Sequence, residues 1–192
     1  FDPVLNERLK ELLLKFGNYP EKKKKVLIYG RPGTERNAFN LIVAALKIWV
    51  SIQDDVQEWE VVSAGEQHPP VELGRGVVMN SVGKLSIDAY AQLLNESYAG
   101  ISLMASPHPS YPPLEMSVYG IKVITNTFAN KDLTKFNENI VSVSRTAPAE
   151  IASQLKHICD GYKAKTERKV TNERYINNTE VFAFIPEILN NL

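Results

Sequence analysis

The segment VLIYGRPGTERNAFNLIVAALKIWVSI, from Val26 to Ile52, gives the clearest indication of the fold class. Its first five residues, Val26 to Gly30, form a short apolar run that is typical of a buried strand, and RPGTER after them is a turn. From Asn37 to Ile52, apolar residues recur at helical spacing, at Phe39, Ile42, Val43, Leu46 and Val50. A strand, a turn and a helix in this order are half of a βαβ unit.

The same alternation continues along the chain. Further strands are predicted at Trp59–Gly65, Gly76–Val82, Gly100–Ala105, Ile121–Thr125 and Asn139–Ser144, and helices at Ser86–Glu96, around Glu115 and at Pro148–Asp160. Continuous apolar strands that alternate with helices predict an α/β fold, a doubly wound parallel sheet with helices on both faces. We divide the chain into an N-terminal helix and linker (1–25), the α/β unit (26–162) and a C-terminal helical extension (163–192).

Composition excludes several classes of protein. The 192 residues include 22 Lys and Arg and 22 Asp and Glu, so no overall basic field favours nucleic acid. The single cysteine, Cys159, excludes an internal disulfide and favours a reducing compartment. No apolar run approaches the roughly 20 residues that span a bilayer, and a signal-peptide pattern is absent. We therefore expect a cytoplasmic protein without a transmembrane segment or a nucleic-acid partner.

The N-terminal region has two further features. The chain starts at Phe1 without an initiator methionine, which suggests an excised part of a longer protein. Four consecutive lysines, Lys22 to Lys25, lie in the predicted linker. We interpret them as solvated charge, with phosphate contact as the less favoured alternative.

The first candidate site is the turn after the first strand, which contains Gly30, Arg31 and Gly33. Glycines allow a backbone to approach a ligand closely, and an arginine at a strand end can direct its charge at a phosphate oxygen. The turn is neither a GxGxxG nor a Walker sequence. An ordinary βα turn with a surface arginine is an equally good interpretation.

A second cation, Lys84, lies between Gly83 and Leu85 at another strand-to-helix junction, where Ser86 is placed to cap the helix. In a parallel sheet, Arg31 and Lys84 lie on the same carboxyl edge. Two cations at one edge suit a diphosphate.

The segment SPHPSYPPLEMSVYGIKVITN, from Ser106 to Asn126, is a proline-broken loop that leads into a short helix. Pro112 and Pro113 suit the first helical positions, which leaves the amides of Leu114 and Glu115 to face an anion. The Glu115 carboxylate suits two sugar hydroxyls, and Tyr111 suits a base or a phosphate. For Glu115, favourable charge at a helix N-terminus is the alternative.

His108 in the same loop is a weak candidate for an acid or for a group that stabilises charge. An exposed packing role is its alternative. Asp54 and Asp55 have no histidine or carboxylate near them at ligand spacing, so no metal site is predicted.

Together these segments resemble the C-terminal, nucleotide-sugar-binding domain of GT-B glycosyltransferases, of the broad group that includes the GT4 enzymes. The residues that carry the resemblance are GR at a strand end, then GKLS, then YAQLLNESYAGISLMAS and PPLEMSVYGIKVITN. The pattern YGRPGTERNAF with SYPPLEM is similar to WsaF-type bacterial rhamnosyltransferases. The resemblance implies a Rossmann-like domain.

The resemblance also implies roles for individual residues. Arg31 and Lys84 hold the diphosphate of the donor, Glu115 holds its ribose, and Tyr111 takes part in nucleotide binding. Gly30, Leu85, Pro113 and Leu114 flank these positions in the same motifs and belong to the implied donor site. The first of the two glutamates that GT4 enzymes often carry falls at Pro107 here, so the resemblance does not extend to the sugar contacts made by that glutamate.

The resemblance implies transfer of a hexosyl or rhamnosyl group to a glycan acceptor in bacterial surface polysaccharide synthesis. The donor implied by the WsaF-type pattern is dTDP-rhamnose, and no metal is implied. GT-B enzymes hold the acceptor on a separate N-terminal domain, so this chain is expected to bind donor without transferring sugar by itself. Two alternatives are a non-catalytic α/β binding or interaction module and a sugar-nucleotide epimerase of the same architecture.

Overall fold

The computed structural model describes residues 21–108 and 110–164. The strands are β1 (Lys23–Gly30), β2 (Glu60–Gly65), β3 (Val71–Gly74), β4 (Val77–Gly83), β5 (Ser97–Ile101), β6 (Lys122–Asn126) and β7 (Ile140–Val143). The helices are α1 (Phe39–Ile52), α2 (Ile87–Glu96), α3 (Tyr111–Val118) and α4 (Pro148–Asp160), with short 3-10 helices at Glu35–Asn37 and Val56–Glu58. The predicted N-terminal helix and C-terminal extension fall largely outside the described residues.

All seven strands form one sheet in the order β3-β4-β2-β1-β5-β6-β7. Every pairing is parallel except that of β3 with β4. The α/β fold with a doubly wound, mostly parallel sheet is therefore confirmed. The sequence reading missed β3, a four-residue edge strand. Its turn to β4 is Arg75–Gly76, with positive φ at both residues, a two-residue hairpin made without the usual Asn-Gly or Asp-Gly signal.

Two apolar cores lie on opposite faces of the sheet because side chains alternate along each strand. Val26 and Ile28 of β1 pack in the core that contains the buried residues of α1 and α4. Leu27, between them, packs in the core that contains those of α2 and α3. The helices therefore cover both faces and leave the edge at the strand ends open.

Strand β1 starts at Lys23, so Lys23 to Lys25 belong to the sheet and not to a linker. Lys24 pairs with Glu58 at 2.7 Å, and Lys25 pairs with Glu96 at 2.9 Å. The buried Lys22 donates to the carbonyl oxygen of Leu94. These partners argue against phosphate contact by Lys22, Lys24 and Lys25, because each ammonium group is already bonded within the fold.

The fifth strand also differs from its predicted bounds, since β5 ends at Ile101 and not at Ala105. After that residue the chain continues beside β6 only through Ser102, whose N–H donates to Ile124 at 3.0 Å. The apolar residues Leu103 and Met104 consequently belong to a loop at the carboxyl edge. Within residues 21–108 and 110–164, no helix combines the length and apolar character that a membrane crossing requires.

Candidate functional site

A cleft of about 930 Å³ lies at the carboxyl edge of the sheet. It lies where the strand order reverses, since the chain runs from β1 to β2 and β4 on one side and to β5 and β6 on the other. Such a switch point is the usual ligand position in open α/β sheets. One wall comes from the ends of β1, β2 and β4, and the other from residues between Met104 and Glu115.

The structure brings most of the sequence-predicted site residues to this cleft. Those that line it are Arg31, Lys84, Leu85, His108, Tyr111 and Glu115. Gly30, Pro113 and Leu114 do not line it. The cleft geometry therefore does not support a place for these three residues in the site. The roles of the six residues that line the cleft stay predictions.

The cleft is electropositive. Arg31, Lys84 and a third cation, Arg36, line it against one carboxylate, Glu115. Sequence reasoning missed Arg36, which lies in the short 3-10 helix after β1. The one sequence feature that could have indicated Arg36 is that it is the second arginine of the turn RPGTER. The carbonyl oxygen of Arg36 accepts the N–H of Ala105 at 2.7 Å, which joins the two walls of the cleft.

The glycines of the first turn make close contacts within the protein. A Cβ atom at Gly30 would lie 2.0 Å from Oγ of Ser63 on the neighbouring strand. The N–H of Gly33 donates to the carboxylate of Glu66 at 3.1 Å. These contacts give both glycines a role within the fold, whereas their role at a ligand stays a prediction.

Glu115 is only 1% exposed, yet it lines the cleft. Helix α3 begins at Tyr111, so Glu115 is its fifth residue and lies beyond the first turn. The effect of the helix dipole on a charge falls off within that turn. Interaction with the helix dipole therefore explains the presence of a carboxylate at Glu115 poorly. The position favours a binding role.

That the amides of Leu114 and Glu115 face the cleft stays a prediction, and the bounds of α3 do not favour it. In an α-helix only the first turn has N–H groups without an intrahelical acceptor, and Leu114 is already the fourth residue of α3. The two residues before it, Pro112 and Pro113, have no N–H to offer. The N-terminus of α3 is thus poor in anion-binding amides, because it starts one residue earlier than expected.

His108 is exposed at the rim of the cleft. Its Nδ1 accepts the N–H of Ser110 at 3.0 Å, so the neutral ring compatible with this bond carries its proton on Nε2. Ser110 itself has φ +69°, an uncommon backbone conformation for a residue with a side chain. The weak catalytic assignment of His108 stays a prediction.

One end of the cleft is apolar. Tyr29, Leu85, Ile87 and Tyr90 line it, and all four are half-buried beside the core of α2 and α3. Half-buried aromatic and aliphatic side chains suit a planar ring. Sequence reasoning missed Tyr29 and Tyr90, because nothing local distinguishes them from core residues.

In the part of the chain that the structure describes, no group of three or more His, Cys, Asp and Glu side chains is placed to hold a metal ion. That donor binding needs no metal stays a prediction.

The chain is similar in sequence to a known protein family and to a protein of O-antigen biosynthesis. The model of the family described as WsaF, C-terminal domain, matches residues 24–156. The O-antigen biosynthesis protein RfbC of Myxococcus xanthus is 36% identical over 135 residues, which are 69% of this chain and 10% of that protein.

Two solved structures share the fold. HepE of Anabaena, in complex with UDP and glucose, has a TM-score of 0.60 at 14% identity, and the match covers 100% of this chain and 53% of HepE. WaaG, a glycosyltransferase involved in lipopolysaccharide biosynthesis, has a TM-score of 0.55 at 11% identity, and the match covers 100% of this chain and 51% of WaaG.

The chain thus spans about a tenth of RfbC and about half of each solved structure. The structural likenesses concern the fold alone, whereas the family match covers most of the α/β unit, from the second residue of β1 to within α4. The chain therefore belongs to the family of WsaF C-terminal domains and has the fold of the C-terminal domain of a GT-B glycosyltransferase.

Proposed function

We propose that the cleft binds a nucleotide sugar and that the full-length protein transfers its sugar during O-antigen or related surface polysaccharide synthesis. One observation carries the proposal: Arg31, Lys84 and the buried Glu115 line a single cleft at the switch point of the sheet. Those residues come from three separate stretches of the chain. A module that binds no anionic ligand gives no reason for them to meet.

The diphosphate of the donor lies against the cations. Arg31 follows β1 and Lys84 follows β4, and Arg36 adds a third positive charge. Guanidinium groups pair with two phosphate oxygens at once, and an ammonium acts as a point charge. The same cations stabilise the negative charge that develops on the leaving diphosphate, which is why the proposal needs no metal.

The nucleoside occupies the rest of the cleft. Glu115 accepts hydrogen bonds from the ribose hydroxyls, since its carboxylate reaches the cleft from a buried position. Tyr111 contacts the base or a phosphate. The half-buried Tyr29, Leu85 and Tyr90 offer an apolar surface to a planar ring.

For the donor we propose dTDP-rhamnose, on the resemblance to WsaF-type rhamnosyltransferases. UDP-sugars are the principal competitor, because HepE was solved with UDP and glucose. An acceptor site on a further domain completes the enzyme. The 192-residue chain alone is therefore proposed to bind donor and not to transfer sugar.

Calorimetric titration with dTDP, UDP and dTDP-rhamnose tests the proposal. We expect binding of at least one of them, with about tenfold or greater weakening in Arg31→Met, Lys84→Met and Glu115→Gln, since each loses a charge-assisted contact. Lys47→Met, at an exposed position on α1, is the matched control and should bind normally. Absence of binding of every nucleoside diphosphate at millimolar concentration would refute the proposal.

The full-length protein separates transfer from the alternatives. A glycosyltransferase consumes donor productively only when an acceptor glycan is present. An epimerase converts donor without any acceptor, and a non-catalytic module does neither. Donor analysed by chromatography after incubation with and without acceptor therefore distinguishes the three.

A further inference from the structure

A buried lysine, Lys131, lies just outside the cleft. Lys131 is 5% exposed. It ends a tight turn after β6, closed by two backbone hydrogen bonds between Phe128 and Lys131. Its Nζ donates to the carbonyl oxygen of Met104 at 2.6 Å, and Met104 lines the cleft.

Met104 is held on both of its backbone groups. The N–H of Met104 donates to Oδ1 of Asn126 at 2.8 Å, and Nδ2 of Asn126 donates back to the carbonyl oxygen of Met104 at 3.2 Å. Asn126 is also buried, at 3% exposure. Asn126 and Lys131 therefore both hold the backbone of Met104, the residue at which the second wall of the cleft begins. That wall continues to Tyr111 and Glu115.

The charge of Lys131 is costly where it lies. Burial lowers the pKa of Lys131, and among the described residues it forms no ion pair with a carboxylate. The charged groups next to it in the chain are Asp132 and Lys135, and the charged or titratable residues Arg36, His108 and Glu115 line the cleft that Met104 borders. Asp132 instead accepts from Thr134.

A buried cation without a fixed anion is seldom retained for stability, because an apolar side chain of similar volume is usually as good or better. An anionic ligand in the adjacent cleft supplies the missing complement. Its attraction to Lys131 is weakly screened, because the lysine is removed from solvent.

Resting on the proposed function, we propose that Lys131 is a positioning residue of the donor cleft. It holds Met104, and with it the wall that carries Tyr111 and Glu115, and it adds positive potential for the diphosphate. Asn126 fixes the same backbone without charge. Lys131 touches Met104 and not the donor.

The experiment compares Lys131→Met and Lys131→Gln with the wild-type chain, with Lys135→Met as the matched control at an exposed position four residues further on. Calorimetry with dTDP and UDP should show about tenfold weaker binding for both Lys131 variants, whereas Lys135→Met should bind like wild type. The thermal midpoint of Lys131→Met should not fall, since the substitution removes a buried charge.

Proton uptake separates an electrostatic role from a structural one. Near pH 9, wild type should take up protons when it binds nucleotide, because the bound anion favours the charged form of Lys131. Calorimetry in two buffers of different ionisation enthalpy measures this uptake, and the Lys131 variants should take up less. ADP, whose base and phosphates do not titrate near pH 9, serves as a second probe.

Unchanged affinity and unchanged proton uptake in folded Lys131 variants would overturn the inference while leaving the proposed function intact. If the variants fail to fold, the wild-type chain still tests the inference. Proton uptake by the wild-type chain that does not exceed the amount expected from the free probe would overturn it. A wild-type chain that binds no nucleoside diphosphate removes both this inference and the proposed function.

Discussion

The carboxylate of Glu66 accepts the backbone N–H of Gly33 at 3.1 Å. The backbone N–H of Glu66 donates in turn to the carbonyl oxygen of Gly30 at 2.9 Å. Hydroxyl Oγ of Ser81 on β4 donates to the carbonyl oxygen of Glu66 at 3.1 Å. The loop after β2 therefore supports the turn that carries Arg31 and connects it with the strand that leads to Lys84.

Replacing Glu66 by alanine should disturb that turn. We expect Glu66→Ala to lose about 1 kcal/mol of unfolding free energy, the worth of a typical hydrogen bond, and to bind nucleoside diphosphate several-fold more weakly. Glu66→Gln keeps an acceptor oxygen and should stay near wild type in both. Urea denaturation and calorimetry measure the two effects, with Glu72→Ala, exposed on β3, as control. Wild-type affinity in Glu66→Ala would show that the turn needs no support.

Gly30 should tolerate no side chain. An added Cβ would lie 2.0 Å from Oγ of Ser63, which is fully buried and bonded to Nε2 of His68 at 2.9 Å. We expect Gly30→Ala to cost about 1–3 kcal/mol, as is usual for overpacking. Urea denaturation of the variant measures this cost.

The double variant with Ser63→Ala tests the cause of that loss. Ser63→Ala alone should destabilise the fold, since it removes the partner of His68. Adding Gly30→Ala to it should then cost less than in the wild-type background, because the hydroxyl that clashes is gone. If the losses of unfolding free energy in the two single variants add up in the double variant, the Ser63 hydroxyl is not the cause of the destabilisation by Gly30→Ala.

Acid should weaken the fold partly through Glu96. Burial by itself raises the pKa of Glu96, but hydrogen bonds from Lys25, Gln92 and Lys23 outweigh it and lower the pKa from 4.5 to about 2. Since the pKa is lower in the folded chain, the carboxylate stabilises the fold above about pH 4.5, and this stabilisation is lost as the pH falls toward 2.

Glu96→Gln should remove this part of the acid sensitivity. After allowance for partial exposure, we expect it to lose about 1–2 kcal/mol at neutral pH and to approach wild type at low pH. Denaturant unfolding of both proteins at several pH values down to acid measures the difference. Parallel pH curves for wild type and variant would exclude Glu96 as a source of acid sensitivity.

Cys159 should be inert in the folded protein. The thiol is buried on α4, and burial raises its pKa, which keeps it in the unreactive protonated form. A chromogenic disulfide reagent at about pH 8 should leave it unmodified in the native state and react after unfolding in guanidinium. Rapid modification of the native protein would contradict the burial of Cys159.

Much of the donor site was predictable because its signals are local. Arg31 and Lys84 each stand directly after the glycine that ends a strand, and strand ends of a parallel sheet share an edge. Glu115 follows a pair of prolines that mark a helix start. Local patterns could not show that α3 begins at Tyr111, one residue earlier than expected.

The α/β class, the parallel sheet and the edge at which the cleft lies follow from residue order alone, because strand and helix periodicity are properties of neighbouring residues. Three other features appear only in the folded chain: Arg36 lines the cleft, Glu66 accepts the N–H of Gly33, and Lys131 donates to Met104. These contacts join residues far apart in sequence. They depend on strand order and loop conformation, which no local pattern encodes.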